Sequence, residues 1–156
     1  METHNQRFRR LASARLSRIF QTMSLIANLS GSQYAYTQAD ADEMFTTYQE
    51  LGNAARTYFT GPTRWNEMPN TFAFENQETV SVDEQEAHNR FRRLAENRMS
   101  RVLRDLRLVV NLSDRSNYTF TENEVAQMFD AYESLGKAVA ARFVHLPQEF
   151  HFTSNR

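Results

Sequence analysis

Phe91, Ala95, Met99, Val102, Leu106 and Val109 recur at alternating steps of four and three residues. Phe8, Ala12, Leu16, Ile19, Met23 and Ile26 do the same earlier in the chain. Each set traces one apolar stripe down a helix of 3.6 residues per turn, with polar residues on the remaining faces. A second pair of stripes follows: Ala41, Met44, Phe45, Tyr48, Leu51, Ala55 and Phe59, then Val125, Met128, Phe129, Tyr132, Leu135, Val139 and Phe143. The pattern predicts helix, turn, helix, written twice. Thr3 with Gln6, Ser81 with Glu84, Thr37 with Asp40 and Thr121 with Glu124 have the spacing of capping boxes and predict the four helix starts. Asn-Leu-Ser at 28–30 and 111–113 closes the first helix of each copy, because asparagine accepts a left-handed cap.

The two halves also match residue for residue. Phe8 to Ser30 returns as Phe91 to Ser113 with 12 of 23 positions identical, at an offset of 83. After a one-residue insertion, Tyr34 to Phe59 maps onto Tyr118 to Phe143 with 9 of 26 identical. Met68-Pro-Asn-Thr-Phe-Ala-Phe74 answers Leu146-Pro-Gln-Glu-Phe-His-Phe152, and its alternation favours short extended strands that could pair. Repeat 1 therefore spans 1–74, a linker with the start of the next helix occupies 75–87, and repeat 2 spans 88–156. A unit of this size alone buries little surface, so the stripes must cover one another. The expected architecture is all-α: two helical hairpins in tandem forming a four-helix bundle with a pseudo-two-fold axis and short extended Pro-x-x-Phe-x-Phe tails. Gly52 and Gly136 fall inside the second helices, where glycine costs about 1 kcal/mol relative to alanine. Its occurrence twice predicts a close crossing with no room for a side chain.

Charge changes the picture. The chain carries a formal net charge of −1, which gives no overall pull toward nucleic acid, yet 17 of its 18 Lys and Arg residues are arginine. Arginines crowd the first helices: Arg7, Arg9, Arg10, Arg15 and Arg18, then Arg90, Arg92, Arg93, Arg98, Arg101, Arg104 and Arg107. The second helices lean acidic. One reading laces each hairpin with ion pairs, Arg15 and Arg98 being the flanking residues best placed to pair. The other aims an outward row at phosphates, with Arg10, Arg18, Arg93, Arg101, Arg104 and Arg107 as the anion- or partner-binding residues.

Catalytic patterns are not evident. There is no cysteine, and His4, His88, His145 and His151 form no ligand spacing, so neither a metal nor a cofactor is expected and the chain reads as non-enzymatic. His4 and His88 stand near helix starts, where solvated side chains are the ordinary expectation. The charged beginning does not resemble a secretory signal, and no run approaches the length of a membrane span, so a cytoplasmic protein with no membrane partner is expected.

The unit of Arg-rich helix, Asn-Leu-Ser-x-x-Ser-x-Tyr-x-Phe-Thr at 111–121, Met-Phe-x-x-Tyr-x-x-Leu at 128–135 and Arg-Phe at 142–143 resembles a short helical-hairpin unit of small phage and mobile-element proteins. Repeat 1 departs from it by one residue in the turn and by Tyr58 in place of Arg142. The resemblance implies a phage or mobile-element origin, the host cytoplasm as location, and a possible role against host defence. The leading expectation is a protein whose Arg-lined helices bind nucleic acid or a nucleotide. The alternative is an inhibitor or adaptor docking on a host protein complex through Arg/Tyr surfaces that include Tyr34 and Trp65. A homodimer is among the expected assemblies.

Overall fold

The computed structural model describes residues 1–144 and 149–154. Four helices carry the fold: α1 (His4–Ala27), α2 (Gln38–Thr57), α3 (Gln85–Val110) and α4 (Glu122–Ala140). They form an all-α, four-helix bundle with no strand among the described residues. At 1.5 Å per residue α1 and α3 are each about 36–39 Å long. No described helix is long and apolar enough to cross a membrane.

The principal helix packings all cross between the repeats: α1 with α3 and α4, and α2 with α4 and α3. Antiparallel α1 and α3 form the centre. Arg15 Nη1 donates to the Leu108 carbonyl at 2.7 Å, and Arg98 Nη1 donates to the Leu25 carbonyl at 2.7 Å. These bonds are equivalent under the offset of 83, so the sequence repeat is realised as a local two-fold. The expected role of Arg15 and Arg98 as carboxylate partners is corrected by this geometry. Each guanidinium serves a backbone oxygen of the opposite repeat instead.

The stripes meet in one core drawn from both halves. Phe8, Ile19, Met23 and Ile26 of α1 and Phe91, Met99, Val102, Leu106 and Val109 of α3 are almost fully buried. Burial of each large side chain contributes roughly 1.5–3 kcal/mol. Two equivalent four-ring clusters close the ends. Phe8 and Phe59 of repeat 1 meet Phe120 and Phe129 of repeat 2, while Phe91 and Phe143 meet Tyr36 and Phe45. Each cluster takes two rings from each repeat, so neither half could keep its core alone.

Three capping boxes form as the spacing predicts, at Thr3, Thr37 and Thr121. The fourth does not. Ser81 precedes a 3-10 turn, Val82–Glu84, and its hydroxyl meets the Glu84 carboxylate rather than a helix N–H, so α3 begins only at Gln85. The Asn-Leu-Ser ends also differ from expectation. Asn28 and Asn111 are right-handed, with φ −65° and −59°, and each helix tightens into a 3-10 turn instead of closing through a left-handed residue. Such tightening is another way to satisfy terminal carbonyls.

The first tail is extended but pairs with no strand. It lies antiparallel along α3. Asn66 reaches the Arg107 carbonyl and Asn111, the Phe72 N–H donates to Ser100 Oγ at 2.9 Å, and the Phe74 N–H donates to Glu96 Oε2 at 2.9 Å. Side chains of α3 thus take the place of a ladder. Of the second tail, 145–148 lies outside the described residues. Phe150 and Phe152 are exposed.

Candidate partner-binding face

Arginine placement decides what the surface can bind. Of the six residues singled out from sequence, three are engaged within the chain. Arg10 holds Glu2 through two hydrogen bonds of 2.8 and 3.1 Å. Arg18 pairs across the bundle axis with Asp105 at 3.3 Å. Arg107 donates to the Met68 carbonyl at 2.9 Å and so fastens the first tail.

Arg93, Arg101 and Arg104 differ. All three are exposed on α3, and none has a carboxylate within pairing distance among the described residues. The local two-fold explains Arg101. Its counterpart is Arg18, whose acid is Asp105, but the counterpart of Asp105 is Thr22. The position that offers a carboxylate to Arg18 thus carries an uncharged threonine in the other repeat. From Arg93 to Arg104 the helix rises about 16 Å. An exposed guanidinium without a partner keeps its planar fork of donors available to an incoming oxyanion.

Several other arginines lace the repeats together. Arg92 donates to Asp40 Oδ1 at 2.7 Å and to Asn76 of the linker, while His88 donates Nε2–H to Asp40 Oδ2 at 2.7 Å. Asp40 is fully buried and His88 nearly so. Burial pushes the Asp40 carboxyl up, but hydrogen bonds from the Thr37 backbone, His88, Asn76 and Arg92 outweigh it and hold the group below its ordinary range. At the equivalent place Glu124 takes Arg9 and Asn5, and its carboxyl is held low in the same way against its burial. The expectation of a solvated His88 is thus corrected, whereas His4 is exposed. His145 lies outside the described residues. The sequence carried a usable signal: His88 and Asn5 are equivalent at the offset of 83, and both can donate to the equivalent cap acids Asp40 and Glu124.

Two further surfaces were candidates. A cleft of about 110 Å³ opens over Tyr48 and Tyr132 between α2 and α4. Its rim cations are already committed, Arg56 to Asp130 at 3.4 Å and Lys137 to Glu133 at 3.1 Å. Among the aromatics, Tyr34 is partly buried beneath the Arg90 guanidinium, so it is not the exposed docking ring its sequence position suggested. Trp65 is 83% exposed. No protein-family model, curated protein or solved structure matches the chain.

Proposed function

We propose that this is a non-enzymatic binding protein that uses Arg93, Arg101 and Arg104 of α3 to engage a phosphate-bearing partner, with nucleic acid as the leading class. The supporting observation is the contrast among the arginines. Eleven of them, at 7, 9, 10, 15, 18, 56, 90, 92, 98, 107 and 115, contact a carboxylate or a carbonyl within the fold, whereas these three face solvent along one helix. Three charges over about 16 Å match on the order of five phosphate steps of one strand, at roughly 3.4 Å each. The resemblance to phage and mobile-element units sets this binding in the context of host-defence antagonism.

The test is fluorescence anisotropy of labelled single- and double-stranded oligonucleotides at several salt concentrations. With three phosphate contacts, log K should fall against log salt with a slope of about −2 to −3. Arg101→Glu with Arg104→Glu should abolish binding while leaving the helical circular dichroism and melting unchanged. An absence of binding at low salt overturns the reading and turns attention to a protein partner, with Trp65 as its first contact to alter.

A further inference from the structure

The two tails have equivalent sequences but opposite fates. Residues 68–76 lie in a groove on α3 and α2. There Phe74 packs edge to face on Phe72 at 5.0 Å, approaches Phe91 at 6.1 Å, and lies under the Arg92 guanidinium at 4.9 Å. Asn76 ends the contact on Asp40, Glu43 and Arg92. Phe150 and Phe152 hold the same mutual geometry, edge to face at 4.9 Å, yet they are 78% and 91% exposed.

The seat equivalent to the occupied groove exists on α1 and α4. Carried across the local two-fold, Phe91, Arg92, Glu96 and Met99 become Phe8, Arg9, Ser13 and Leu16, while Asp40 and Glu43 become Glu124 and Gln127. Those six repeat-related residues line a cavity of about 280 Å³. Its walls are bare where the first groove is covered. Met99, Ser100 and Leu103 are buried beneath the first tail, but Leu16 and Phe20 are only partly buried and Ser17 is exposed. Arg92 is 24% exposed and Arg9 68%. The polar fittings persist as well. Ser17 stands where Ser100 accepts the Phe72 N–H, and Ser154 stands where Asn76 ends the first tail.

Chain length separates the two cases. Eight residues, 60–67, lie between Phe59 and Met68, whereas two residues, 144–145, lie between the equivalent Phe143 and Leu146. The second tail lacks the loop that returns the first to its groove. A short connection beside a complementary seat favours exchange between copies.

We propose that the α1/α4 groove is the docking site for the Phe150-x-Phe152 segment of a second copy of this chain. Phe152 seats against Phe8 and Arg9, and the backbone N–H of Phe150 donates to Ser17. One tail and one groove per chain make the exchange reciprocal, and it closes as a two-fold dimer. This surface is separate from the exposed arginines of α3, so either reading can fail without the other.

The test is light scattering on the full chain from low-micromolar to sub-millimolar concentration. Wild type should double in mass as concentration rises. Phe150→Ala with Phe152→Ala should stay monomeric, as should Ser13→Arg with Ser17→Arg, which blocks the groove at exposed positions. Mixing these two variants should restore a dimer, because one intact tail then meets one intact groove. Melting of the dilute monomers verifies that all three chains fold alike. The proposal is overturned if wild type remains a monomer throughout, which a tail folded onto its own groove would produce. It is equally overturned if both variants still dimerise.

Discussion

Tyr48 and Tyr132 stack face to face across the local two-fold, with ring centroids 4.0 Å apart and planes within 4° of parallel. Each hydroxyl donates to the other residue's backbone carbonyl at 2.7 Å. The rings fit because each lies over a glycine of the opposite helix. A Cβ on Gly52 would stand 2.2 Å from Tyr132 Cε1, and one on Gly136 would stand 2.3 Å from Tyr48 Cε1. The four residues form one interlocked unit joining α2 to α4.

Gly52→Ala and Gly136→Ala should therefore destabilise the protein, although alanine is the better helix former. The propensity gain is about 1 kcal/mol. Displacing a packed aromatic ring and its hydroxyl bond costs about 1–3 kcal/mol for overpacking, and more where the ring cannot move. We expect both variants to melt lower, by about 2–4 °C for each kcal/mol lost. The symmetry requires the two losses to be similar. A rise in melting temperature for either would show that the crossing has slack.

The same pair sets an alkaline limit. Burial raises the pKa of both tyrosines, and the Tyr48 charge adds to the rise at Tyr132. A folded-state pKa above the unfolded value means that the contribution is full below the ordinary tyrosine range, near about 10, and is lost as pH rises through and above it. In an ultraviolet titration of the native protein, Tyr48 and Tyr132 should stay protonated until the chain unfolds. Ionisation of all six tyrosines before loss of helical signal would contradict the packing.

The stripes, three caps and the paired glycines were legible because each is a local or repeated property of the sequence. Glycine inside a helix twice over points to a close approach, and Tyr132 over Gly52 is that approach. What periodicity does not encode is the partner of each stripe. Phe8 reads as core, but nothing near it announces Phe120 and Phe129 of the other repeat. Asp40 reads as a cap residue, and its two long-range partners, His88 at Oδ2 and Arg92 at Oδ1, are 48 and 52 residues away. Phe72-x-Phe74 reads as strand because alternation reports extended backbone. Its N–H groups then go to Ser100 and Glu96, which no period-two pattern could specify. Among the arginines, helical angle separated core-flanking from outward positions, but it could not show that Arg18 meets Asp105 while its equivalent Arg101 faces no acid.

Asp40 should be the more costly of the two equivalent cap acids to remove. It is fully buried and joins Arg92, His88 and Asn76, whereas the Arg9 that meets Glu124 is largely exposed. Asp40→Ala leaves His88 and Arg92 without their carboxylate, a loss on the order of 3–5 kcal/mol for a broken buried pair. Glu124→Ala should cost about 1–2 kcal/mol, the loss of the hydrogen bonds its carboxylate accepts from the Thr121 N–H, Asn5 and the exposed Arg9. Chemical denaturation of both variants measures the difference, and equal losses would refute the asymmetry of the two sites.

Acid should act through the same residue. The Asp40 carboxyl is held below its ordinary range, so its contribution is complete above the unfolded value, near about pH 4, and is lost as pH falls through the lower folded value. Wild type should therefore lose stability steeply below about pH 4, and Asp40→Asn should flatten that slope while starting from a lower plateau at neutral pH. Glu124, also held low, leaves a residual acid slope in the variant. Denaturation midpoints taken from neutral pH downward decide the matter. Parallel profiles for wild type and Asp40→Asn would mean that the acid limit lies elsewhere. The expected convergence of the two curves at low pH would place it at the contact where α2, α3 and the first tail meet.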